Sequence, residues 1–409
     1  MDPLIQTIEL SGMAYGGAAM GRDSEGRMVF VPFGIENETV HVRLTDIHKR
    51  WAHAQLLSIE HPAPERRRPL CPHFQHCGGC HYQHIPYNMQ LRIKEDILAE
   101  QLRRIGKFEN PPVQPILPSP DEWGTRNKAS FATNSASKLA YFGFNPEELV
   151  PIEQCPILHP ELQSLTQTLE MDFLEGVHKV VLRTSDSGEM MIFEGDIHKD
   201  MAFTFERPLS VVWIGEKGVS ILSGSDQLLY SIEGLDFVVS AGSFFQVNTK
   251  LVPAMVNKAV ELLEPKRGQI IVDAYAGIGL FSKFLAEKGV DVIAIEESPW
   301  SSRDFELNLD PYDTVSLYEA DVETSLPALQ AKPDSILIDP PRAGLSKAAR
   351  EEILRLNPER IVYVSCDPAT LARDGRQFAS SGYVFESITP LDLFPQTFHI
   401  ESISLWLRE

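Results

Sequence analysis

Beyond about Thr249 the chain alternates apolar, strand-length runs with helix-length segments, and no other feature of its 409 residues limits the fold as much. The runs GQIIVDAYAG, VDVIAIEES, DSILIDPP and RIVYVSC are apolar along nearly their whole length. A strand with one wet face would alternate polar and apolar residues. Continuous apolarity requires cover on both faces, which is the condition of a parallel sheet packed between helices. Two last runs, YVFESITPLD and IESISLWLRE, read as further strands. Such a sheet binds ligands at the carboxyl ends of its strands, so the residues closing each run are the candidates for chemistry.

The first run closes on Asp273-Ala274-Tyr275-Ala276-Gly277-Ile278-Gly279. Its GxG permits a tight strand-to-helix turn and a close backbone approach to a ligand, although glycine also serves such turns structurally. Glu296, twenty-three residues beyond Asp273, closes the next run, where a carboxylate can accept hydrogen bonds from both ribose hydroxyls. Leu280 and Phe281 stand where a pyrophosphate-binding turn would continue, so the pattern favours a ligand without phosphates. S-adenosylmethionine fits, with Tyr275 beside its methionine part or purine and Asp321 near the adenine. An ordinary helix cap explains Asp321 equally well. Asp339-Pro340-Pro341-Arg342 resembles the acid-Pro-Pro-aromatic signature of adenine N6 methylation, but Arg342 replaces the aromatic residue and argues against that reaction.

Cys366 follows IVYVS and precedes Asp367-Pro368, which puts its thiol at the same sheet edge. A lone cysteine is more often a small buried hydrophobe. Here the chemistry of a pyrimidine offers it a role: carbon 5 is a poor nucleophile until a thiolate adds to carbon 6, after which a base must remove the carbon-5 proton. Glu401, in FPQTFHIES, is the candidate base, an edge carboxylate being the alternative. Asp339 could accept the N3 proton of uracil and reject cytosine, whose N3 is itself an acceptor. Gln246, in SFFQVN, could donate to O4 or touch the cofactor.

The other four cysteines are separate. Cys71, Cys77 and Cys80 form C-x5-C-G-G-C, and Cys155 stands far off in IEQCPIL. Four thiols beside one nucleophile suit a metal centre better than disulfides. The missing C-x2-C pair on the Cys155 side favours an iron-sulfur cluster over zinc. Four nearby histidines, His73, His76, His81 and His84, are expected to face solvent or RNA.

The formal net charge of −20 speaks against a nucleic-acid partner until its distribution is considered. Residues 41–110 hold 11 Lys or Arg against 7 Asp or Glu, and 8 of the 12 histidines, so a basic front precedes an acidic body. No apolar run reaches the roughly 18 residues of a membrane span, and the amino terminus lacks a signal core. A cytoplasmic protein without membrane contact is expected.

Taken in order, WGTRNKASFA, FFQVN, DAYAGIGLFS, DPPRAG, VSCDPATLARD and FPQTFHIES, together with CPHFQHCGGCHYQH and the distant Cys155, resemble the iron-sulfur-containing RNA uracil-5-methyltransferases nearly end to end. The resemblance implies an OB-like TRAM β-barrel over residues 1–60, supported by short runs such as RMVFVPF and ETVHVRLTDI. It further implies a β-rich central domain over 61–245 with a four-iron, four-sulfur cluster on Cys71, Cys77, Cys80 and Cys155. A Rossmann-like, S-adenosylmethionine-dependent α/β domain follows over 246–409, and a helix at about 88–106 is a candidate to pack on it. By the same resemblance Cys366 is the nucleophile and Glu401 the base, while Gln246, Tyr275, Gly277, Glu296, Asp321 and Asp339 line the cofactor and substrate site. RNA is the partner, ribosomal ahead of transfer RNA, with no DNA and a monomeric enzyme expected. Leu280 and Gln396 depart from the family's usual Asn or Thr and His. A cytosine-5 RNA methyltransferase and a non-catalytic RNA-binding protein are the competing readings.

Overall fold

The computed structural model describes residues 4–133, 139–169, 176–196, 207–216 and 218–409. Five strands, β1 (Ile5–Met13), β2 (Ala18–Arg22), β3 (Met28–Pro32), β4 (Thr39–Ile47) and β5 (Trp51–His61), close into a barrel in the order β1-β2-β3-β5-β4. Alternate residues such as Ile8, Leu10, Val29, Val31, Val40 and Val42 point inward and fill it. Closure leaves no free sheet edge.

The cysteine-bearing loop leads into α1 (Tyr87–Arg104). The spacing of Met89, Ile93, Ile97, Leu98 and Leu102 in the sequence predicts an apolar stripe on this helix. It is buried at all of them but the half-buried Met89, while Gln90, Lys94 and Gln101 are buried as well. The expectation for the histidines fails at His84, which is fully buried and has Nε2 3.3 Å from the Gly34 carbonyl oxygen. Burial lowers its proton affinity to a pKa of about 3.

A seven-stranded sheet follows: β6 (Lys128–Thr133), β7 (Leu139–Phe142), β8 (Leu149–Pro151), β9 (Val177–Ser185), β10 (Gly188–Gly195), β11 (Ser210–Gly215) and β12 (Gly218–Ser223). Helix α2 (Pro160–Thr168) packs against β9. The hairpin of β13 (Gln227–Ile232) and β14 (Leu235–Ser240) leads out of it.

The last sheet contains β15 (Ile270–Ala274), β16 (Asp291–Glu296), β17 (Val315–Glu319), β18 (Ser335–Ile338), β19 (Arg360–Ser365), β20 (Tyr383–Leu391) and β21 (Glu401–Arg408) in the order β17-β16-β15-β18-β19-β21-β20. The first five are parallel, and β21 runs antiparallel to both its neighbours. Helices α3 (Val252–Leu263), α4 (Leu280–Ala286), α5 (Pro299–Leu309), α6 (Val322–Ala328), α7 (Lys347–Leu356) and α8 (Pro368–Ser380) connect the strands. The chain runs outward from β15 through β16 to β17 and then crosses back to β18 on the other side of β15, and this reversal opens a crevice at the carboxyl end of β15.

The parts are knitted together. Helix α1 packs on α8 and β20, and Leu98 and Leu102 share a core with Val272 and Tyr363. Lys94 Nζ meets Asp392 Oδ1 at 2.6 Å with both side chains fully buried. Residues 114 and 117 donate backbone hydrogen bonds to Ile388 and Pro390 at 2.7 and 2.8 Å, covering the edge of β20. The largest core joins Val181, Met190 and Ile192 of the central sheet to Phe237, Val256 and Ile271, so it passes through the expected boundary at 245/246. Among the described residues, no helix is long and apolar enough to cross a membrane.

Candidate active site

A cleft of about 1140 Å³ opens at the carboxyl ends of β15, β16, β18 and β19. Gln246, Tyr275, Gly277, Glu296, Asp339, Cys366 and Glu401 all line it. Asp321 does not. Its carboxylate accepts the Thr324 amide at 2.6 Å as the cap of α6, and Val322 and Glu323 form that wall instead. A cap is the commoner use of aspartate before a helix, because it satisfies an amide that has no partner within the helix.

The two glycines of the turn do different work. Gly277, at φ 57°, has open space where a side chain would stand, so it faces the cleft. A Cβ on Gly279 would lie 2.4 Å from Leu309 and 2.9 Å from Phe305, so that glycine lets α5 approach. Glu296 accepts hydrogen bonds from the Gly277 and Ser298 amides, both at 2.8 Å. Each of its oxygens keeps a lone pair for a hydroxyl donor. The Gln246 loop is held from outside: the Asn127 amide donates to the Gln246 carbonyl at 3.1 Å, and the buried Arg183 donates to Ser240 and Ser243 carbonyls at 3.0 and 2.7 Å.

At the β19 end, Cys366 stands among carboxylates. Burial pushes its thiol up to about 12, with Glu401 and Asp339 adding to the effect and the Arg342 guanidinium opposing it. Glu401 is buried, and desolvation followed by the Asp339 charge holds its carboxyl well above the usual carboxylate range. Asp339 is itself raised to about 7 by burial and by Asp273. Such a crowd of acids raises the proton affinity of each, so a carboxylate there is scarcer at neutral pH but a stronger base once ionised. Arg342, exposed at the mouth, is the cation that moderates it, a role that was visible only as the residue following Asp-Pro-Pro. Leu280 is buried on the cleft wall and offers no polar atom. Gln396 lies outside the cleft, fully buried at φ 68°, where its side-chain oxygen accepts from Gln90 at 3.0 Å and Arg67 at 3.2 Å.

Cys71, Cys77, Cys80 and Cys155 line a second cavity, of about 310 Å³. Gly78 is needed there because a Cβ would stand 2.8 Å from the Gly143 carbonyl oxygen. Burial raises all four thiols, Cys80 to about 11 and Cys155 to about 12, while neighbouring sulfurs add to the rise and Arg126 opposes it at all but Cys71. Among the described residues, no three His, Cys, Asp or Glu side chains form a group that could hold a metal ion. All four cysteines nevertheless line one space.

Residues 326–409 match the family model described as tRNA (Uracil-5-)-methyltransferase, and residues 5–57 match that of the TRAM domain. The chain is 32% identical to the 23S rRNA (uracil(1939)-C(5))-methyltransferase RlmD of Shewanella sediminis over 98% of this chain and 95% of the relative. It is 31% identical to an uncharacterized RNA methyltransferase of Synechocystis, covering 96% of this chain and 94% of that one. The crystal structure of the Pyrococcus abyssi tRNA (uracil-54, C5)-methyltransferase in complex with S-adenosyl-L-homocysteine shares its fold, with a TM-score of 0.77 and 24% identity over 98% of this chain and all of the other. Likeness at this level along almost the entire chain, on a sheet whose carboxyl edge gathers a thiol and several acids, leads to one conclusion: the chain belongs to the family of RNA uracil-C5 methyltransferases.

Proposed function

We propose that this protein transfers a methyl group from S-adenosylmethionine to carbon 5 of a uridine in RNA, with Cys366 as covalent nucleophile and Glu401 as base. One observation carries the reading: the thiol and the buried carboxylate share a single cleft with the glycine turn and Glu296. When bound, S-adenosylmethionine supplies an electrophilic methyl group on a sulfonium and leaves as a neutral thioether. Glu296 and the Gly277 backbone are the residues suited to its ribose, with Tyr275 and Gln246 beside it.

The steps assigned to the chain balance as follows. Cys366 loses its proton to water and its sulfur bonds to carbon 6, moving an electron pair onto carbon 5 and O4. Carbon 5 takes the methyl group. Glu401 then removes the carbon-5 proton, the carbon 5–carbon 6 double bond re-forms, and the thiolate departs. Asp339, when ionised, accepts from N3–H, which selects uracil over cytosine. Because its carboxyl is raised to about 7, the accepting form grows as pH rises through neutrality.

Ribosomal RNA is the favoured substrate, since relatives of 32% and 33% identity are named for 23S rRNA. The barrel, which is the TRAM match, would contact that RNA as part of a cytoplasmic monomer. For the second cavity, a four-iron, four-sulfur cluster on Cys71, Cys77, Cys80 and Cys155 suits four thiols that line one space, and its role would be to fix the loops that carry them.

The test is nucleoside analysis of RNA incubated with purified protein and S-adenosylmethionine. 5-Methyluridine is expected, along with a covalent adduct on 5-fluorouridine RNA, and Cys366→Ala should abolish both. Product on cytosine, or an unchanged Cys366→Ala enzyme, would refute the reading. Iron and acid-labile sulfide measured in anaerobically purified protein check the cluster.

A further inference from the structure

A side chain of the barrel region hydrogen-bonds to the catalytic edge. Tyr15, in the connection between β1 and β2, donates its hydroxyl hydrogen to Asp367 Oδ2 at 2.6 Å across 352 positions of sequence. Asp367 directly follows Cys366. Its other oxygen accepts the Ala369 and Thr370 amides at 2.9 and 2.8 Å and so caps α8, while its own amide donates to Ser365 Oγ at 3.2 Å. The turn that presents the thiol is therefore held by its own backbone, by the helix it starts and by a tyrosine from another domain. The same tyrosine ring stands edge-on to Phe398, with centroids 6.0 Å apart at 89°. Phe398 lies three residues before Glu401, and a Cβ on Gly17 would touch it at 3.1 Å, so the barrel connection abuts the segments of both nucleophile and base.

We infer that Tyr15 is a positioning residue for the reaction: by binding Asp367 it sets the orientation of the Cys366 turn and draws carboxylate charge away from the sulfur. The inference rests on the reading of Cys366 as nucleophile. The physical reason is that a hydroxyl donated to a carboxylate is a charge-assisted bond, stronger than a neutral one and directional. Groups facing Cys366 are Asp367 in its own turn, Asp339 and Arg342 from the loop after β18, Glu401 on β21, and Tyr15 from the barrel. Three of these are acids that disfavour the thiolate, so a donor that occupies one of them matters to its formation. A tyrosine that merely glued the barrel to the catalytic domain would affect stability and RNA affinity and leave the pH profile of the thiol alone.

The experiment follows the rate of covalent adduct formation on 5-fluorouridine RNA with S-adenosylmethionine present, from acid to alkaline pH, in the full-length protein. Tyr15→Phe retains the ring against Phe398 and removes only the donor. It should slow adduct formation about tenfold, the size of one lost charge-assisted hydrogen bond, with KM for RNA unchanged and the profile moved to higher pH. Asp367→Asn still caps α8 but removes the negative charge, so its profile should move to lower pH, and adding Tyr15→Phe to it should change nothing further. A Tyr15→Phe enzyme that matches wild type in rate and profile, a loss confined to KM for RNA, or additive effects in the double variant would overturn the inference. A wild-type protein that forms no adduct would instead remove the nucleophile reading beneath it.

Discussion

The cleft and the four-cysteine cavity both hold thiols that burial raises, yet they surround them with different groups. In the cleft a single sulfur sits among carboxylates, on the rigid end of a central strand, with Arg342 tempering the negative charge. In the cavity four cysteines line one space on loops, where burial and neighbouring sulfurs raise the thiols while Arg126 and hydrogen bonds such as that from Gln83 oppose the rise. A nucleophile has to be deprotonated only transiently and then released, so a surrounding that holds its thiol protonated between turnovers is compatible with that use. Ligand thiols have to be deprotonated for good, and only a bound cation can offset the cost of burying that much negative charge. The number of neighbouring thiols, more than the burial of each, separates the two surroundings, since Cys366 and Cys155 are both pushed up to about 12.

The sharpest way to break this comparison is at the base. Glu401→Gln should cut turnover by about 10²- to 10⁴-fold while covalent RNA adduct accumulates on ordinary uridine RNA, because addition proceeds and elimination stalls. Denaturing gel analysis of the adduct checks this, and near-normal turnover would remove Glu401 from the mechanism. Next in size, Cys80→Ser should lose iron and destabilise the fold by about 4 kcal/mol or more, whereas Cys366→Ala keeps its iron and its unfolding midpoint. Parallel iron assays and denaturant unfolding of the two variants would show whether the thiol sets are as separable as their surroundings suggest. Smallest of all, Asp321→Ala should cost about 1 kcal/mol of stability through the lost cap and leave KM for S-adenosylmethionine within roughly twofold. A large rise in that KM would restore Asp321 to the cofactor site.

Much of the catalytic sheet could be read before any coordinates, and so could the burial of Ile93, Ile97, Leu98 and Leu102 on α1. Period and turn chemistry are local properties, and they place Gly277, Glu296, Asp339 and Cys366 at strand ends without knowledge of neighbours. The same locality explains what could not be read. Asp321 also closes a strand and opens a helix, but whether such an acid faces ligand or its own helix depends on a side-chain torsion that spacing does not encode. His84 lies in a polar, histidine-rich stretch that reads as surface, and it is buried because the barrel's Gly34 packs over it. Lys94 interrupts an otherwise ordinary amphipathic helix, and its partner, Asp392, is 298 positions away.

By itself, then, the sequence determined which sheet would form, which residues would end its strands, and that five cysteines divide into four and one. Only the tertiary structure decided that Asp321 caps its own helix, that Gln396 lies outside the cleft in a buried amide network, and that a tyrosine from the barrel reaches the residue after Cys366. Hydrophobic period and backbone preference act over a few residues, whereas the last two of these come from the relative docking of barrel, central sheet and catalytic sheet. That docking is set by shape and burial summed over whole surfaces, and no short stretch of sequence carries it.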